Sequence, residues 1–153
     1  MNNLRKLDSF DLKIIDALLQ DGRLPVTELA RQIGISKSPC QARLKRLLSE
    51  GYILGFRAQV DHAKLNQQQV AFTEVRLSDT RQAALQVFDK AVKKIPEIEE
   101  CHLIAGSFDY LLKVRTSDIS AYRKVLGESI ASLPNVANTS TYVSMQAIKD
   151  LHT

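Results

Sequence analysis

The sequence predicts an α+β chain in two parts: a bundle of three short helices, then a four-stranded antiparallel sheet carrying two helices on one face. Three observations predict it. Apolar residues recur at helical spacing between Phe10 and Leu48, punctuated by Gly22, Gly34 and Gly51. Strand-like and helix-like stretches then alternate from residue 70 to about residue 145 in the order βαββαβ. The parts also differ in charge: residues 1–60 carry ten Lys and Arg against six Asp and Glu, whereas residues 61–153 carry eleven of each.

The first helix opens at Asp8-Ser9, where either side chain can accept a bond from an early, otherwise unpaired N–H. Phe10, Ile14, Leu18 and Leu19 share one face, and Asp21-Gly22 ends the helix, with glycine expected to supply the backbone freedom of the stop. Pro25 suits the first turn of a short second helix, because its missing N–H would be unpaired there anyway; Thr27 competes as its cap. Leu29, Ala30 and Ile33 form the apolar face, Gly34 breaks the helix and Ile35 plugs the corner. Ser36 can cap a third helix, with Pro39 in its first turn, Cys40, Leu44, Leu47 and Leu48 facing inward, and Gly51 as its stop. A short helix, a glycine turn and a further helix make a helix-turn-helix.

Residues 52–60 are rich in strand formers and are expected to form a strand leading into a hinge, with Asp61-His62 and the polar run 66–69 marking a linker. The expected division is therefore 1–52, a linker at 53–66, and a second domain at 67–153. Residues 70–77 predict a strand, although the alternation slips phase between Phe72 and Val75. Ser78-Asp79-Thr80 offers caps for a helix with Ala84, Val87, Phe88, Ala91, Val92 and Ile95 on one face, ended by Pro96. Residues 98–105 pair across the turn 106–109 with a strand in which Tyr110, Leu112 and Val114 alternate with Leu111, Lys113 and Arg115. Ser117-Asp118 caps a last helix bearing Tyr122, Leu126, Ser129, Ile130 and Leu133, Pro134-Asn135 breaks it, and a strand runs from Val136 to about Met145. This is the ferredoxin-like arrangement. It leaves one sheet face uncovered. Apolar side chains there would cost about 25 cal/mol per Å² in water, so a second copy is expected to cover it.

The positive excess lies in the first part, and residues 36–49 hold Lys37, Arg43, Lys45 and Arg46 with no acid. On charge alone, a solvated basic face explains this as readily as contact with a polyanion. Position on the third helix decides for double-stranded DNA. Lys37, Ser38, Gln41, Ala42, Lys45 and Arg46 lie away from the apolar stripe, with Arg43 on its border. Lys and Arg neutralise phosphates or pair with guanine, and Gln pairs with adenine. Ser36 and the free N–H groups at the helix start can hold a phosphate.

Other classes are disfavoured. No apolar run approaches the roughly 20 residues of a membrane span, and the polar N-terminus has no secretory core. Cys40 and Cys101 fall in different segments and fit buried thiols in a reducing cytoplasm. His62, His102 and His152 have no metal-ligand spacing, so no metal or cofactor is expected. There is no phosphate loop, nucleophile elbow or paired nucleophile and base, so an enzyme is not expected. Asp109 stands in a turn where it can bind its own backbone or an effector's ammonium group.

Together the motifs resemble the Lrp/AsnC (feast/famine) transcription regulators over nearly the whole chain. The resemblance rests on Leu7-Asp8-Ser9-Phe10-Asp11, Asp21-Gly22-Arg23, the run from Gly34 to Cys40, Gly51-Tyr52-Ile53 and Glu100-Cys101-His102-Leu103. It continues through the run from Gly106 to Leu112, Ser120-Ala121-Tyr122-Arg123-Lys124, Leu133-Pro134-Asn135-Val136 and Thr141-Tyr142-Val143. It implies a RAM/ACT-like second domain that pairs sheet to sheet in homodimers, which assemble to tetramers or octamers. It also implies a prokaryotic, cytoplasmic protein acting at the nucleoid and responding to leucine or another small amino acid bound between dimers. Gly106, Ser107, Phe108, Asp109 and Tyr110 would line that cleft, together with Tyr142, Val143 and Ser144. Ser107 stands where an acid is common in the family, and Ser144 where the leucine-responsive members tend to carry an apolar residue. The competing expectation is an architectural nucleoid protein with no effector.

Overall fold

The computed structural model describes residues 6–149, which divide into an N-terminal unit up to residue 58 and a C-terminal unit from residue 59. The N-terminal unit holds α1 (Ser9–Gln20), α2 (Val26–Ile33) and α3 (Lys37–Ser49) around Ile14, Leu29, Ala30, Ile33, Cys40 and Leu47. Asp8 caps α1, its carboxylate accepting the N–H groups of Phe10 and Asp11 at 2.9 and 3.0 Å. Asp11 answers by accepting the Asp8 N–H at 3.0 Å, so an aspartate serves where a capping box more often uses Glu or Gln. Gly34, at φ 78°, closes α2, and Gly51, at φ 76°, follows α3.

Several local expectations are corrected. Leu19 is 75% exposed, and the α1 positions facing inward include Asp11, which is 1% exposed. Leu48 also turns toward solvent. Gly22 is not left-handed; a Cβ there would sit 3.2 Å from the Phe56 ring, so close approach is what favours glycine. Pro25 is the N-cap of α2 rather than part of its first turn, and Ser36 occupies the N-cap of α3 without a side-chain bond. Residues 52–60 join no sheet. Tyr52 and Ile53 pack on the helical core, while Leu54, Phe56 and Val60 are exposed.

The orientation of α3 on α1 is set by charge. The Asp11 carboxylate meets Arg43 Nη1 at 2.8 Å through Oδ1 and Arg46 Nη2 at 2.6 Å through Oδ2. Arg43 Nη1 also reaches Asp8 Oδ2 at 2.7 Å, and its guanidinium stacks over the Phe10 ring at 5.5 Å. Burial pushes the Asp11 carboxyl pKa up, but the bonds from Arg46, the Asp8 N–H and Arg43 outweigh it and hold the group at about 2.

The C-terminal unit runs β1 (Gln69–Leu77), α4 (Gln82–Val92), β2 (Ile98–Leu103), β3 (Tyr110–Thr116), α5 (Ile119–Val125) and β4 (Val136–Val143). A π turn, Leu126–Ile130, extends α5. All pairings are antiparallel in the order β2-β3-β1-β4, the ferredoxin-like topology. Ala71, Val75 and Leu77 of β1 and Tyr110, Leu112 and Val114 of β3 face Phe88, Val92, Tyr122 and Ile130 of the helical layer. The phase slip expected in β1 is absent. Thr73 is the inward residue, fully buried, and its hydroxyl bonds the Tyr122 hydroxyl at 2.9 Å; Phe72 belongs to the outer face. Tyr122 also bonds Thr141 Oγ1 at 2.6 Å, tying α5 to both β1 and β4. Arg81, not Ser78, Asp79 or Thr80, is the N-cap of α4; Asp79 instead accepts the Arg81 N–H and guanidinium.

The outer sheet face is mixed rather than apolar throughout. A register shift between Ile98 and Glu100 accompanies the approach of Glu99 and Glu100 to Lys113 and of Glu99 to Arg115, and both cations are only 8% exposed. Phe72 and Tyr142, paired across β1 and β4, form the aromatic part.

Two outcomes follow. Tyr122→Phe strands the buried Thr73 hydroxyl and should destabilise the C-terminal unit by about 1–3 kcal/mol in urea unfolding. Asp11 has a folded pKa below its unfolded one. Its contribution is therefore complete above about pH 4 and is lost as pH falls toward 2. The wild-type helical unit should lose stability over that window, measured by thermal melts followed by circular dichroism, whereas Asp11→Asn should be weaker at neutral pH and lose less across it, keeping only the share of carboxylates such as Asp8 and Glu28, whose pKa values are also lowered.

Candidate functional site

Two groups of residues carry the expected chemistry, one in each unit. On α3, Lys37, Ser38, Gln41, Ala42 and Lys45 are exposed while Cys40 and Leu47 are buried, with exposed Ser36 at the helix start. No acid lies in the first turn of α3, so its N-terminal dipole stays available to an anion. Lys37 and Lys45 have no ion-pair partner among the described residues. Arg43 and Arg46, expected to join this face, are instead engaged by Asp8 and Asp11, with side chains 28% and 23% exposed. Sequence reasoning missed both aspartates as determinants of this face. The available signal was the i, i+3 pair Asp8 and Asp11 against the i, i+3 pair Arg43 and Arg46.

In the C-terminal unit, residues 106–109 form the turn between β2 and β3, closed by Ile104 N–H donating to the Asp109 carbonyl at 2.8 Å. The Asp109 carboxylate accepts the Leu77 N–H at 2.7 Å, where the pairing of β1 with β4 shifts register. Arg76 returns the clip, its Nη2 donating to the Ser107 carbonyl at 2.6 Å. Turn and strand end are thus held reciprocally, and Arg76 is a participant the sequence did not single out. Tyr110 is buried at the base, its ring 4.4 Å from Phe88 and its hydroxyl bonding Asp89 at 2.8 Å. Burial and the Asp89 carboxylate push its phenol pKa well up. Gly106 and Ser107 are exposed, and Phe108 is half-buried.

Tyr142, Val143 and Ser144 are not beside this turn. Val75 pairs with Tyr110, whereas Phe72 pairs with Tyr142 and Ala71 with Val143. The two groups lie toward opposite ends of β1 and on opposite sides of it, roughly 13 Å apart along the strand at about 3.3 Å per residue. One chain does not bring them around one small molecule. Tyr142 and Val143 are exposed, and Ser144 instead lines a separate cleft of about 580 Å³ with His62, Val70, Arg115 and Met145.

Burial pushes up both thiols, that of Cys101 to about 11. Among the described residues no three His, Cys, Asp or Glu side chains converge on a metal position, and no helix is long and apolar enough to cross a membrane.

Comparison with known proteins joins the two units. The Lrp/AsnC ligand binding domain matches residues 70–152, and a winged helix-turn-helix DNA-binding domain matches residues 7–53. The chain is 63% identical over 144 residues to a proline dehydrogenase transcriptional activator of Rhizobium radiobacter, covering 94% of this chain and 92% of that one. It is 42% identical over 145 residues to the leucine-responsive regulatory protein of Escherichia coli K12, covering 95% and 88%. A transcriptional regulator of Neisseria meningitidis, solved in complex with L-Met, superposes with a TM-score of 0.88 at 30% identity, covering 95% and 94%. These relatives are regulators, not enzymes. With a helix-turn-helix in its first unit and the ligand-binding fold in its second, the chain belongs to the Lrp/AsnC family of DNA-binding transcription regulators.

Proposed function

We propose that the protein is an amino-acid-responsive activator of proline catabolism, reading DNA with the Gln41–Lys45 face of α3 and sensing proline in its C-terminal unit. The observation that carries this reading is the 63% identity, over nearly the whole of both chains, with a proline dehydrogenase transcriptional activator. The effector class is supported by the L-Met complex of a structural neighbour. A proline effector needs donors for its carboxylate, an acceptor for its ammonium and a small apolar wall. The turn offers the backbone N–H groups of 106–108, and Ser144 narrows the apolar demand compared with a leucine site.

The ligand cleft is composite in this reading. Asp109 shapes one wall by holding the turn to β1, and Tyr142, Val143 and Ser144 of another subunit supply the other. Homodimers, and tetramers or octamers built from them, are therefore part of the proposal. Leu54, Phe56, Ala58 and Val60 alternate with Gly55, Arg57 and Gln59 in a segment that joins no sheet within the chain, the pattern of a strand that finds its partner in a second copy. Two heads held in this way read half-sites about 10 bp apart or a multiple of that. The place of action is the bacterial nucleoid.

Ser36, Lys37 and Ser38 take phosphates at the start of α3, Gln41 reads a base edge, and Lys45 anchors the backbone. On a DNA fragment selected by the protein from a random pool, Gln41→Ala should weaken binding about tenfold or more, as loss of a bidentate base contact does, and leave random DNA within about twofold. Lys45→Ala should weaken both and lower the salt slope by about 0.9 per head. Equal losses for Gln41→Ala on both DNAs, read by gel shift, would remove its base-reading role.

In a thermal-shift screen of the twenty amino acids, proline should raise the melting temperature most, corresponding to about 2.7 kcal/mol at a hundredfold excess over Kd. Asp109→Ala should abolish most of that shift. A larger response to leucine or methionine than to proline would overturn the effector assignment.

A further inference from the structure

We infer that Asp11 is a positioning residue for DNA recognition, keeping the Arg43 and Arg46 guanidinium groups off the phosphates so that α3 meets DNA through its Gln41–Lys45 face alone. The inference deepens the proposed reading of DNA by α3 and rests on it.

The four cations of α3 divide into two kinds. Lys37 and Lys45 are exposed. Arg43 and Arg46 share the Asp11 carboxylate, one oxygen each at 2.8 and 2.6 Å, and Arg43 takes Asp8 as well at 2.7 Å. Helical geometry separates the two kinds. At about 100° per residue, Arg43 lies about 160° around the helix from both Gln41 and Lys45, and Arg46 about 140° from Gln41 and about 100° from Lys45. The Asp11 side chain is 1% exposed, so it has almost no water to replace a departing guanidinium. A phosphate drawing away Arg43 or Arg46 would leave the buried carboxylate with one guanidinium instead of two, and taking a partner from a buried charge is costly. The same carboxylate accepts the Asp8 N–H, which couples this restraint to the start of α1.

The consequence is specific to recognition. Phosphate contacts hold any sequence, whereas base contacts select one. Two sequestered arginines per head lower affinity for random DNA without weakening base contacts.

The test is the salt dependence of binding by the full-length protein, on its selected DNA and on random-sequence DNA, because each phosphate neutralised adds about 0.9 to the slope. For Arg43→Gln and Arg46→Gln the slope on random DNA should equal that of the wild type, with the preference for selected DNA reduced as α3 loses its seat. For Asp11→Asn the slope should steepen by up to about 1.8 per head, random DNA should bind at least about threefold more tightly at low salt, and Asp11→Glu should restore part of the preference. A slope shallower by about 0.9 for each arginine removed would show both already on phosphates and would overturn the inference. So would an Asp11→Asn slope equal to that of the wild type. If Asp11→Asn does not fold, the two arginine variants decide alone. A wild-type protein with no salt-dependent DNA binding overturns the proposed function itself, an outcome separate from a normal wild type with altered arginine variants.

Discussion

A carboxylate removed from water is tolerated only where its charge is answered, and Asp11 is answered by two guanidinium groups and a backbone N–H. That requirement fixes how α3 lies on α1. Arg43 and Arg46 are one helical turn apart, so a single carboxylate on α1 reaches both only from one side of α3. Apolar packing through Cys40 and Leu47 brings the helices together, and the charge cluster sets the rotation. Which side chains remain for a groove follows from that rotation. The capping of α1 follows too, because Asp8 closes the helix start while sharing Arg43 with Asp11.

The C-terminal unit is governed by the position of β1 between β3 and β4. Its inward residues, Ala71, Thr73, Val75 and Leu77, seat the helices, and the only polar one is satisfied by Tyr122. One end of β1 grips the turn 106–109 through Leu77 and Arg76, and the region around Ala71 and Phe72 pairs with Tyr142 and Val143. A central strand thus separates the two candidate walls of a ligand site. In the proposed function this separation couples sensing to assembly: an effector touching both walls touches two chains, so its binding shifts an association equilibrium.

Most of the architecture was legible because it rests on local patterns. Gly34 and Gly51 take the left-handed conformations that their places after helices imply. Leu29, Ala30, Ile33, Cys40 and Leu47 are buried as their spacing requires. The misreadings have physical causes of their own. Thr73 counted as polar, so β1 seemed to change phase, although a hydroxyl with a buried partner serves as well as an alkyl group inside a sheet. Residues 52–60 have strand composition, but a strand exists only where another strand offers its backbone, and the chain presents none there. Asp11 counted as one more acid near a helix start, since nothing adjacent to it reveals that Arg43 lies 32 positions away and in contact.

The sequence by itself determined the two-part α+β division, the order of elements, most of the core, the basic helix and the family. The first four follow from periodicity, turn residues and charge within short windows, and the family from the resemblance of the ordered motifs. Only the tertiary structure decided which of the α3 cations stay exposed, and that the turn 106–109 and Tyr142 to Ser144 stand apart in one chain. Both depend on contacts between distant segments, whose distances and bond directions no local pattern encodes.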